Sequence, residues 1–184
     1  MSAGVDIVRA GPADAAAIAR FQVAAWRESY RGIVPDRFLD EMDADVSAGR
    51  WTQRLTSGER EAFTASVDGH LVAVASTRRS LVHAGLPHLE LSTLYLARAV
   101  QGSGLADRML DTAIADEAAH LLVFAANARA QRFYRRRGFA PVGAPLVDSG
   151  TGLVEQRWAR STMSSSPKPL TRSARSAPVS GTSG

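Results

Sequence analysis

Two stretches of the chain hold residues whose types and spacing could do chemistry. The first is Gln101-Gly102-Ser103-Gly104-Leu105-Ala106, between an apolar extended run and a helical period. Glycines permit positive φ and let a ligand approach the main chain, and amides opening a helix are free donors that favour phosphate. A plain strand-to-helix turn would use the same residues. No Gly-Lys-Ser/Thr follows, so this is no Walker loop, and it comes too late, without an acidic strand end, for a dinucleotide fold. The second stretch runs from Asn127 through Phe133-Tyr134 and Arg135-Arg136-Arg137 to Gly138. Its three arginines point in separate directions on a helix and read as a solvated C-terminal end. His70, His83, His88 and His120 lack metal-ligand spacing and read as loop or surface residues, and there is no cysteine. No metal is expected.

The elements that must position these residues follow from periodicity. Residues 5–9 alternate as a first strand, and a helix opens at Ala13 or Asp14, with Ile18, Phe21, Val23, Trp26 and Tyr30 mainly on one face. Residues 36–42 form a short helix behind Pro35, and residues 50–55 a helical turn around Trp51. Strands at 62–67 and 71–78 flank Asp68-Gly69, a strong hairpin signal. Leu89–Leu96 is a strand, 105–119 an amphipathic helix and 121–125 a buried strand. A helix over 128–137 stops at Gly138, and strands at 139–142 and 152–160 close a mixed α/β domain.

The chain has 184 residues, 45% of them apolar, a size that fits one domain over residues 1–160. The net charge is +4, but Lys168, Arg172 and Arg175 of the tail carry +3, leaving +1 for residues 1–160. That balance speaks against a nucleic-acid partner. Residues 161–184, with eight Ser and three Pro, lack the apolar surface to offset ordering and are expected to be disordered. No run is long and apolar enough to span a bilayer, and residues 1–10 lack a signal-peptide pattern, so a cytoplasmic protein without membrane partners is expected.

Leu94-Tyr95-Leu96, then the glycine turn, then Asn127-Ala128-Arg129-Ala130-Gln131-Arg132-Phe133-Tyr134 and on to Gly138-Phe139, resembles the GNAT superfamily of acyl-CoA-dependent N-acyltransferases. The first part is similar to the family's Gln/Arg-x-x-Gly-x-Gly/Ala pyrophosphate motif. The second is similar to its Asn-x-x-Ala-x-x-Phe-Tyr-x-x-x-Gly-Phe helix. The resemblance covers nearly all of residues 1–160. It implies the GNAT fold, a mixed central sheet flanked by helices in which two parallel strands splay around acetyl-CoA.

Carried over residue by residue, the resemblance assigns the main chain of Leu94, Tyr95 and Leu96 to the pantetheine arm. Gln101, Gly102, Ser103, Gly104, Leu105, Ala106 and Asp107 would hold the pyrophosphate, with Ala106 in place of the commoner Gly and Asp107 expected to point away. Asn127 would bond the CoA arm, although an Asn there also suits a helix cap. Tyr134 matches the family tyrosine that protonates the departing thiolate. An amine with a pKa of about 10.4 must lose a proton before it attacks. Glu90 matches the glutamate base of the histone-type branch, and alternation puts Glu90, Ser92, Leu94 and Leu96 on one strand face. Its other reading is a strand-end surface carboxylate. The acid that other branches carry on the next strand is Leu122 here.

On the acceptor side, Trp26 and Tyr30 lie one helical turn apart and either line an aromatic acceptor wall or pack in the core. Asp36, Asp40, Glu41, Asp43 and Asp45 suit a cationic amine and equally a solvated helix. The implied function is N-acetylation of a primary amine of a small molecule or peptide by direct transfer in a ternary complex, with a homodimer allowed. A non-catalytic acyl-CoA-binding regulatory module on the same fold is the alternative.

Overall fold

Asp68 and Gly69 both take positive φ, 51° and 77°, the geometry of a two-residue turn that matches strand twist. They join β2 (Glu61–Val67) to β3 (His70–Arg79) in a computed structural model that describes residues 5–79 and 85–162. Before this hairpin come β1 (Ile7–Arg9), α1 (Ala15–Ser29), α2 (Asp36–Asp40) and α3 (Ala44–Thr56); after it come β4 (Leu89–Leu96), α4 (Leu105–Ile114), β5 (Ala119–Phe124), α5 (Ala128–Arg136), β6 (Ala140–Val147) and β7 (Val154–Arg160). The seven strands form one sheet in the order β1-β2-β3-β4-β5-β7-β6. Every neighbouring pair is antiparallel except β4 and β5. The mixed α/β architecture is the expected one.

One face of the sheet is covered by α1 and α3, where Ile18, Ala19 and Trp51 pack on Ala62 and Val74. The other face is covered by α4 and α5, where Leu110 and Ile114 join Leu91, Leu121, Phe139 and Trp158 in one core. A smaller cluster under α2 brings Val34 and Leu39 to Phe124, with Trp26, Tyr30 and Phe38 around them. Among the described residues no helix is long and apolar enough to cross a membrane.

Several elements differ from their sequence reading. The turn expected at 50–55 is a thirteen-residue helix, α3. Asp43 starts it, its Oδ1 accepting from the amides of Asp45 (2.7 Å) and Val46 (3.1 Å). Trp51 anchors it, with Nε1 donating to Gln22 at 2.8 Å. The helix expected at 105–119 stops at Ile114, where Ala115 turns to φ 44° and its carbonyl accepts from Arg160. Ala119 is thereby freed to open β5 between Leu89 and Arg160. β6 continues past 142 to Val147, and its Pro141 and Pro145 are tolerated because it is an edge strand. His120 is not a surface residue: it is 2% exposed on β5, its Nδ1 2.7 Å from the Pro87 carbonyl. His70 and His88 are exposed as expected, whereas His83 and residues 163–184 lie outside the described residues.

Asp43→Ala removes an N-cap with two amide bonds, so urea unfolding should report a loss of about 1 kcal/mol. An unchanged midpoint would mean that α3 does not depend on its cap.

Candidate active site

Only two residue pairs, Leu89↔Ala119 and Glu90↔His120, hold β4 to β5. Beyond them the strands part, and the edge of β4 that faces β5 has no strand partner among the described residues. A bulge on the other edge of β4 reshapes the same segment. Thr77 pairs with Leu91 and Ser76 with Thr93, so Ser92 is skipped. The bulge reverses the side-chain phase. Leu89, Leu91 and Leu94 face α4 and α5, while Tyr95 packs against the α1–α3 layer and Thr93 faces Arg60. The simple alternation that put Glu90 with Leu94 and Leu96 therefore fails, and Glu90 shares its face with Thr93 and Tyr95.

The parted strands open toward the glycine turn. Gly102 and Gly104 have φ of 82° and 84°, with nothing within 4 Å of where a Cβ would stand. Gly104 is the N-cap of α4. The Ser103 amide donates to the Val100 carbonyl, and the Leu105 amide approaches Ser103 Oγ at 3.4 Å. The amides of Gly102, Gly104, Ala106 and Asp107 carry no hydrogen bond among the described residues. Four free donors at a helix start, with open space before them, fit a pyrophosphate. Gln101 bridges the two sides of this region, donating to the Leu96 carbonyl at 3.1 Å and accepting from Arg129 of α5. Asp107 turns toward Arg137, 3.5 Å away, as part of an ion-pair group with Asp111.

Asn127 caps α5, its Oδ1 accepting from the Ala130 amide at 3.0 Å. Its side chain also reaches Tyr30, whose phenol it holds lower than burial alone would. Tyr134 packs on Phe133 and Phe139, with ring centroids 5.3 and 5.7 Å away. Burial, and then the nearby Tyr30, push its phenol pKa well up. Tyr95 is raised too, first by burial and then by Tyr30. Tyr30, Tyr95 and Tyr134 thus come together, although they lie at the C-cap of α1, on β4 and on α5. Trp26 completes the group, 4.8 Å from Tyr30 and 6.1 Å from Tyr95. Trp26 and Tyr30 pack in the cluster under α2, and Trp26 also meets the edge of the Tyr95 ring.

Glu90 sits at the closed end of the strand gap. Its Oε2 accepts from Arg78 Nε (3.0 Å) and Nη2 (2.8 Å), its Oε1 from Ser92 Oγ (3.0 Å), and His120 Nε2 is 3.5 Å away. Burial would raise its pKa, but the bonds and charge of Arg78, helped by Ser92 and His120, bring it below the ordinary value. Glu90 is therefore an ion-paired carboxylate rather than a bare strand-end one. One acidic residue went unnoticed in the sequence. Glu155 of β7 lies directly opposite Phe124, and its charge reaches Tyr30. Its only sequence signal was an acid in a strand next to the splayed pair. No group of three or more His, Cys, Asp or Glu residues able to hold a metal occurs among the described residues.

Residues 27–159 match the family described as acetyltransferase (GNAT) domain. An uncharacterized N-acetyltransferase of Mycobacterium tuberculosis (strain H37Rv) is 33% identical over 113 residues, 58% of this chain and 70% of the relative. The PaiA N-acetyltransferase of Thermoplasma acidophilum, solved with coenzyme A, superposes with a TM-score of 0.64 at 16% identity over 84% of this chain and 98% of that one. YncA of Salmonella typhimurium, solved with its cofactor acetyl-CoA, gives 0.64 at 20% identity over 86% and 94%. Both are likenesses of fold.

Because the Glu90 pKa is lower folded than unfolded, its stabilisation is present above the unfolded value and lost as pH falls through the folded one. Glu90→Gln should therefore unfold more readily than the parent at pH 7, by about 1–3 kcal/mol. The difference should shrink toward pH 3, and a difference independent of pH would refute the ion pair.

Proposed function

The chain belongs to the GNAT family of N-acetyltransferases, and from that premise we propose that it moves the acetyl group of acetyl-CoA directly to a primary amine in a ternary complex. One observation carries the reading: the gap between β4 and β5 leads to a turn with four free amides and a phenol cluster beside it. The amides of Gly102, Gly104, Ala106 and Asp107 would hold the pyrophosphate, with Gln101, Ser103 and Leu105 shaping the turn. The unpaired edge through Leu94, Tyr95 and Leu96 would hold the pantetheine arm, with Asn127 nearby. Acetyl-CoA supplies an activated thioester.

In the overall exchange an N–C bond forms, the C–S bond breaks, and an ammonium acceptor loses two protons. One of these protons ends on the thiol and the other in solvent. The unpaired β4 edge offers an amide near Leu96 to polarise the thioester carbonyl. Tyr134 would protonate the departing sulfur, and its raised pKa keeps the phenol protonated through neutral pH. Glu90 is ionised and could draw a proton only through water, since Arg78 occupies its Oε2. The acceptor would enter over Trp26 and Tyr30, on the face opposite α4 and α5.

Acetyl-CoA binding by calorimetry, with thiol release measured against a panel of primary amines, tests this reading. Binding with turnover is expected, and absence of binding would undo it. Tyr134→Phe should lower kcat by about 100-fold with acetyl-CoA affinity little changed. Equal losses in both would sink the acid role. Gly104→Asp should abolish acetyl-CoA binding by placing a carboxylate at the cradle, whereas Gly104→Ala, with room for its Cβ, should weaken it only through backbone strain. Retained binding in Gly104→Asp would discredit the cradle.

A further inference from the structure

The side of the sheet below α2 is only partly covered. Leu122, in the middle of the interior strand β5, is 41% exposed, and Phe124 lies two residues further on the same face. Glu155 is the direct antiparallel partner of Phe124, so its side chain stands on that face as well. Leu146 of β6 flanks Glu155 on the other side, and Asp148 follows two residues later. The 148–152 turn lies against α2. A Cβ on Gly150 would stand 3.5 Å from the Phe38 ring and 3.4 Å from Asp148 Oδ2. Trp26 spans the remaining side, 6.0 Å from Phe38 and 6.2 Å from Phe124 between ring centroids. Aromatic rings, one exposed leucine, Glu155 and Arg157, the direct partner of Leu122, thus share one face of the sheet.

Glu155 and the nearby Asp148 differ in their bonding. Asp148 Oδ2 accepts from the amide and the hydroxyl of Thr151, both at 2.7 Å. Glu155 has no hydrogen bond or ion pair among the described residues. A half-buried carboxylate without a bonded partner is destabilised by its surroundings. Burial first, and then Asp148, raise its pKa, while Arg157 pulls it down. Tyr30 is the titratable neighbour from α1.

We propose that Glu155 selects the acceptor, docking the ammonium group of a cationic amine while its apolar or aromatic body rests on Trp26, Phe38 and Leu122. The acetyltransferase reading enters only in calling this amine the acceptor. An ammonium gives Glu155 the hydrogen-bonded charge partner that Arg157, which acts on it through its charge alone, does not supply, and it gains from the ring faces beside it. With the nitrogen on Glu155, a carboxylate beside it meets two like charges, Glu155 and Asp148, against the one guanidinium of Arg157, and such an amine is disfavoured.

Equilibrium binding to the full chain tests this with three probes: phenethylammonium, the uncharged 2-phenylethanol, and phenylalanine. The wild type should bind phenethylammonium about tenfold more tightly than either of the others. Glu155→Gln should erase that preference and Glu155→Asp should keep part of it. In the wild type the preference should fade as pH falls through a carboxylate pKa above the ordinary 4.5. Equal affinities for the three probes in the wild type, or a preference that survives Glu155→Gln, would overturn the assignment. Acetyl-CoA titrated into the same samples reports separately on the acetyltransferase reading. Its failure to bind, with the ammonium preference intact, would remove that reading and leave the cation site standing.

Discussion

The site depends on two neighbouring parallel strands separating after only two residue pairs. Main-chain groups inside a sheet are normally paired, and leaving them unpaired is unfavourable unless water or a ligand satisfies them. Three features bear on that separation. At the closed end, Glu90 is gathered by Arg78, Ser92 and His120, which ties β3, β4 and β5 together. Along β4, the bulge at Ser92 adds local twist on the edge away from the gap. Near the open end, Trp26 lies against Tyr95 from β4 and Phe124 from β5, so one side chain spans both strands.

The same architecture sorts the ionisable groups. Two glutamates face the side opposite α4 and α5, and their surroundings push them in opposite directions. Glu90, with two bonds from one guanidinium, is held ionised. Glu155, without a bonded partner and near Asp148, is raised. The phenols of Tyr30, Tyr95 and Tyr134 are all raised first by burial, those of Tyr95 and Tyr134 further by Tyr30, and that of Tyr30 by Glu155. A charge sink, a raised carboxylate and a set of neutral proton donors therefore share one region, and divergent environments of this kind mark acid and base chemistry.

Much of this was readable in the residues. The β4 boundaries, the Asp68-Gly69 turn and the positive-φ glycines at 102 and 104 followed from short-range rules of alternation and glycine conformation. What escaped depends on partners distant in sequence. The bulge at Ser92 is a feature of pairing with β3, so alternation within β4 could not reveal it. His120 reads as a surface residue in the sequence because its partners, Glu90 and the Pro87 carbonyl, lie far earlier in the chain. The early end of α4 is set by strand pairing of Ala119, and α3 began earlier than its apolar pattern because Asp43 caps it. Glu155 acquires meaning only when β7 is seen to lie between β5 and β6, out of chain order.

Amide hydrogen exchange, measured with and without acetyl-CoA, tests the cofactor cleft most directly because it reads the unpaired main-chain groups themselves. Residues 94–96 and 102–107 should gain protection on addition of acetyl-CoA, while the β2–β3 hairpin stays unchanged. Unaltered exchange in both segments at saturating acetyl-CoA would contradict the assignment of the parted strands and the glycine turn to the cofactor.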